Sequence, residues 1–131
     1  MHIQRTLMTL ALAVSGVLLA GCAGSFHYSE LKGERFNRTN IDTSSVTITQ
    51  VDGRSIPMWS RVWVEPGLRQ ITVVGPTGGA GRSDRLSTEL QVGVCMRYWL
   101  VAVRSNRLNS DFELVVDHQE PMPGCTPRPG A

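Results

Sequence analysis

The eighteen residues from Leu86 to Val103, LSTELQVGVCMRYWLVAV, form strand-compatible sequence nearly from end to end. Leu86, Leu90, Val92 and Val94 alternate with Ser87, Glu89, Gln91 and Gly93, the period of a strand with one buried face. Drawn straight, the run would reach about 60 Å at roughly 3.3 Å per residue, about twice the width of a domain of this size. A turn or sharp corner is therefore expected near Gly93. Beyond it, Tyr98–Val103 is apolar on both faces, the pattern of a central strand.

Shorter runs of the same kind precede and follow. Val46-Thr47-Ile48-Thr49 alternates and is followed by the turn pair Asp52-Gly53. Arg61–Val64 and Leu68–Val74 flank Glu65-Pro66-Gly67, whose composition suits a type II turn, so these two runs are expected to form a hairpin. Gly75-Pro76-Thr77-Gly78-Gly79-Ala80-Gly81 reads as a loop without regular structure, and Phe112–Val116 as the last strand. No run of more than ten residues past position 22 has a helical period. The expectation is an all-β chain, a small antiparallel sandwich of transthyretin-like or immunoglobulin-like type.

The first 22 residues differ in kind. Arg5 precedes an apolar stretch, Leu7–Ala20, that would reach only about 21 Å as a helix at roughly 1.5 Å per residue, short of a bilayer core of about 30 Å. Leu19-Ala20-Gly21-Cys22 then resembles the lipobox of bacterial lipoproteins. The resemblance implies cleavage before Cys22, diacylglycerol on its thiol and an acyl group such as palmitate on the new amine. Two or three chains, each gaining about 0.8 kcal/mol per buried CH₂, hold a protein stably on a membrane. Ala23, where Asp would favour inner-membrane retention, implies the periplasmic face of the outer membrane. The expected organisation is a signal peptide over 1–21, a lipidated tether over 22–45, and a β-domain over 46–131 with a proline-rich tail.

Lipidation consumes Cys22 and leaves one pair in an oxidising compartment, Cys95 and Cys125. A disulfide between them would pin the tail from Glu120 to Ala131, which carries four prolines. The 30-residue spacing is not the C-x-x-C of redox catalysts, and no histidine set completes a zinc site.

Val51-Asp52-Gly53, Val62-Trp63-Val64-Glu65-Pro66-Gly67 and Ile71-Thr72-Val73 resemble small periplasmic β-domains of the PEGA and transthyretin-like type. The chain departs from that pattern at Leu68-Arg69-Gln70, where such domains often carry His or Tyr. The resemblance covers about 25 residues and implies a fold class, not an activity.

Sites of chemistry are sparse. Gly75–Ser83 lacks the spacing and lysine of a phosphate-binding loop, and no helix pattern follows it. Asp117, His118 and Glu120 cluster near the end of the last strand. Adjacent strand residues point to opposite faces, so solvated edge charges are expected there in place of a metal site. No G-x-S-x-G elbow occurs. Trp59, Trp63 and Trp99 are expected in packing roles, with Trp59, in a loop-like stretch after Pro57, the one to examine for exposure. Thirteen basic residues fall to twelve when Arg5 is removed, against eleven acidic, with no basic stripe for nucleic acid. No catalytic residue, metal or cofactor is expected. The expected role is a non-catalytic binding or assembly module of the cell envelope with a protein partner. A secretion- or envelope-complex subunit and an inhibitor of a cell-wall hydrolase are the specific alternatives.

Overall fold

A computed structural model describes residues 26–78, 81–106, 108 and 110–130. The expected signal peptide and Cys22 lie outside these residues. The described residues contain nine strands and no helix. They are β1 (Ser29–Lys32), β2 (Thr43–Ser45), β3 (Thr47–Val51), β4 (Arg54–Ser55), β5 (Val62–Val64), β6 (Gly67–Val74), β7 (Arg85–Val92), β8 (Met96–Val103) and β9 (Glu113–Pro121).

Two sheets result. The first is built on β8, which pairs along its full length with β9. Its other side is shared by β1 near the start and β2 near the end, and β5 pairs with β1 at the margin. The second sheet runs β4-β3-β6-β7 and is antiparallel throughout. One ladder departs from the antiparallel expectation: β1 runs parallel to β8, with Leu31 opposite Tyr98.

The facing sides make one core. Leu31, Val62, Val64, Met96, Tyr98, Leu100 and Ala102 come from the first sheet, and Ile48, Ile71, Val73 and Val92 from the second. Ile71 and Val73 are wholly buried, each stabilising by about 1.5–3 kcal/mol relative to exposure. The alternation expected for residues 86–92 is observed in β7, and β8 is the central strand expected from its apolar faces.

The long run breaks where expected. Residues 93–95 form a corner carrying the chain from β7 in the second sheet to β8 in the first. Cys95 adopts a left-handed φ of 59°, and a side chain at Gly93 would run into the backbone of Arg128. Ser29 Oγ donates to the Gly93 carbonyl at 2.6 Å and accepts the Met96 N–H at 3.0 Å, while the Gly93 N–H donates to Tyr98 Oη at 2.8 Å. Cys95 is bonded to Cys125 with Cα atoms 5.9 Å apart. A Val94–Arg128 bridge and buried Met122 complete the docking of the tail.

Two expectations are corrected. Residues 29–45 are not all tether, because β1 and β2 lie within the first sheet and Ser29, Glu30 and Leu31 are buried. Their pattern is polar because Glu30 is neutralised by Arg97 and Ser29 is consumed by the corner. Nor do β5 and β6 form a hairpin: β5 pairs with β1, β6 with β3 and β7, so Pro66-Gly67 carries the chain between sheets. Arg69 fixes this crossing by donating to the carbonyls of Glu65 and Pro66 at 3.0 and 2.8 Å.

Asp52-Gly53 does close a two-residue hairpin, with φ of 49° and 78° as a type I′ turn requires. The Asp52 carboxylate accepts the Gln70 N–H at 2.9 Å and pairs with Arg69 at 3.1 Å. The Gln70 N–H first, and the Arg69 hydrogen bond second, hold its pKa below the ordinary 3.8.

Two outcomes follow from these contacts. Opening the 30-residue Cys95–Cys125 loop should cost about 3–4 kcal/mol in the chain-entropy treatment. A Cys95→Ala/Cys125→Ala variant is therefore expected to melt more than roughly 10 °C below the parent, as read by circular dichroism. Asp52 is depressed in the folded state, so its contribution is present above the unfolded value and is lost as pH falls through the folded one. Asp52→Asn should accordingly lower Tm at neutral pH, with the difference closing in strong acid.

Candidate functional site

Between the β1–β5 margin of the first sheet and the β3–β4 margin of the second, the sandwich is open. A groove of about 520 Å³ runs there over buried Leu31, Val46, Ile48 and Val62. Ile56, Glu34 and Arg61 also line it, and Met58 and Trp59 stand on its lip, 78% and 99% exposed.

The lip is a turn. Pro57 follows the two-residue strand β4, and its carbonyl accepts the Ser60 N–H at 3.3 Å and the Ser60 hydroxyl at 2.6 Å. Trp59 occupies the third position of that turn with a φ of 65°. A left-handed third position favours Gly or Asn, and a residue with a Cβ costs about 1–2 kcal/mol there. The backbone disfavours Trp59, and the fold gives its indole almost no cover. Strain of this kind concentrates where side chains serve contacts outside the fold.

The outer face of the first sheet offers a contrasting cluster. Register aligns Trp63, Glu30, Arg97 and Glu120 in one row across β5, β1, β8 and β9, and Lys32, Trp99 and His118 in the next. Arg97 bonds Glu30 at 2.7 Å and Glu120 at 3.1 Å. The Glu30 hydrogen bond is the main cause that raises the Arg97 pKa above the ordinary arginine value. Phe36, from the segment between β1 and β2, stacks on His118 at 3.7 Å and meets Trp99 edge-on at 5.0 Å.

Asp117, His118 and Glu120 do not sit as simple alternation would put them. Trp99 faces His118 and Leu100 faces Val116, so Asp117 is the extra residue of a β-bulge. The bulge lets Asp117 accept the N–H groups of Phe36 and Asn37, at 3.2 and 3.1 Å, while His118 holds the Phe36 ring. These groups are engaged with one another, and among the described residues no three His, Cys, Asp or Glu are grouped to hold a metal.

The β6–β7 loop carries backbone order past the strand ends. The Gly75 N–H donates to Asp84 at 2.9 Å and that of Gly78 to Arg82 at 2.7 Å, with Thr77 and Ser83 hydroxyls 3.0 Å apart.

Of the residues singled out in the sequence, Cys95 and Cys125 are joined, and Cys22 lies outside the described residues. Trp99 is buried, but on the outer face of its sheet. Trp59, the one singled out for exposure, is 99% exposed, and Trp63 is 42% exposed with its ring edge-on to Phe26. The groove itself had no sequence signal, since its floor joins β1, β3 and β5, and β1 reads as polar.

Trp59→Gly should leave stability within about 1 kcal/mol of the parent, because relief of the left-handed strain offsets the added chain entropy. Thermal melting checks this. A loss of several degrees would show that the indole packs against its own fold. Comparison with protein-family models, with curated proteins and with solved structures found no match for this chain.

Proposed function

We propose that the chain is a lipid-anchored protein of the bacterial envelope, held at the periplasmic face of the outer membrane through Cys22. In this reading it acts as a non-catalytic binding or assembly module whose protein partner engages the groove beside Met58 and Trp59. The observation that carries the binding reading is Trp59, which is 99% exposed, left-handed and set on the lip of an apolar groove. A tryptophan buries 150–250 Å² when covered, and Trp is enriched among residues that dominate interface energies. Both flanking margins, β4 and β5, are short strands at sheet edges among the described residues, so an extended partner segment could also add backbone hydrogen bonds. Support for the anchor is the Leu19-Ala20-Gly21-Cys22 sequence, together with the pairing of the other two cysteines.

The stem of the β6–β7 loop favours a second reading, insertion into the active-site cleft of a cell-wall hydrolase, because hydrogen bonds continue along it to Gly78 and Arg82. Radiolabelled palmitate should enter the parent and not Cys22→Ser. A photo-crosslinking amino acid at position 58 should capture an envelope protein in cells, while the same group at position 82 should not. Capture at 82 alone would reject the groove in favour of the loop, and palmitate entering Cys22→Ser would reject the anchor.

A further inference from the structure

The orientation of the domain on its membrane follows from two separate observations, taken with the anchoring at Cys22 proposed above, on which this inference rests. The first is reach. Only four residue steps separate Cys22 from Phe26, about 14 Å of fully extended chain at ~3.6 Å per residue. Phe26 already belongs to the folded body: its ring meets Trp63 edge-to-face at 5.5 Å and Tyr28 at 5.8 Å. An acylated Cys22 would thus hold this corner of the domain within a short step of the lipid headgroups.

The second observation is what that corner exposes. Phe26 is 45% exposed and Trp63 42%, a pair of large rings that the fold leaves facing water. Beside Phe26 a pocket is lined by His27, Val94, Thr126 and exposed Arg128. Aromatic rings favour the bilayer interface, and a guanidinium near the surface is attracted to anionic lipid phosphates.

We propose that Phe26 and Trp63 form a membrane-contact patch whose rings seat in the headgroup layer of the same bilayer that holds the lipid anchor. The register of β1 with β5 then directs the rest of the molecule. Phe26 lies beyond Ser29, which faces Val64 at the end of β5, whereas Trp59 precedes Val62 at its beginning. The lip of the groove is thereby carried to the end of β5 remote from the anchor.

The test uses the full chain, matured in cells, with acylation verified by mass spectrometry of the N-terminal peptide. It is reconstituted on liposomes of phosphatidylethanolamine and phosphatidylglycerol carrying brominated acyl chains, which quench nearby indoles. The brominated lipid should quench the parent, Trp63→Phe should lose most of that quenching, and Trp59→Phe should keep it. Adding Phe26→Trp to the Trp63→Phe protein should restore it. Equal quenching in the parent and Trp63→Phe, or none in acylated protein bound to liposomes, overturns the patch. The second of these is also what a surface reserved for a protein partner or a second copy would give. A mature chain without acyl groups overturns the anchoring reading and this inference with it, and the mass spectrum distinguishes that failure from the others.

Discussion

Three residues, Gly93 to Cys95, carry the chain across the core from the half-buried strand β7 to the buried strand β8. A corner this tight leaves backbone groups without ladder partners in an apolar setting, where each orphan costs about 1–3 kcal/mol. Ser29 supplies one hydroxyl to both the Gly93 carbonyl and the Met96 N–H, and Tyr98 supplies the acceptor for the Gly93 N–H. The corner thereby fixes β1, because Ser29 is its first residue, and through the disulfide it fixes the tail. Sheet order, tail docking and the position of the N-terminal strand all depend on these few polar contacts.

The corner was legible in the sequence because it is a matter of length: strand pattern over eighteen residues does not fit inside a domain this small. β3, β6 and β7 were legible because each carries its own alternation, and β8 because its run is apolar on both faces. β1 was not. Leu31 is its one large apolar core residue, and Glu30 reads as a surface charge until Arg97, 67 positions away, is placed beside it. Pro66-Gly67 has the composition of a hairpin turn but joins two sheets, since turn chemistry is local and choice of sheet depends on which strands are already paired. Trp59 illustrates the opposite limit. Its loop position after Pro57 marks it for exposure, but nothing in Pro57-Met58-Trp59-Ser60 announces its left-handed φ.

Two kinds of aromatic residue result, and their surroundings separate them. Trp99, Phe36 and His118 form a small second core on the outer face of the first sheet, bordered by cations from Lys32 and Arg97 and closed by the Asp117 bulge. Their rings satisfy one another and tie the segment after β1 to β9. Trp59 stands apart at 99% exposed, whereas Phe26, Trp63 and Phe36 each meet a neighbouring ring and leave 45%, 42% and 49% of their surface to water.

The placement of β1 has a mechanical consequence. It lies between β5 and β8, antiparallel to one and parallel to the other, and the chain enters it at the end where Ser29 faces Val64. The loop bearing Trp59 enters β5 at the opposite end of that ladder. Tension applied between the N-terminal segment and this loop therefore runs along the strands, and the hydrogen bonds between β1 and β5 share the load in shear and do not open one at a time. A domain pulled from these two points resists as a unit, so a short edge ladder can transmit force that would peel it apart if applied from the side.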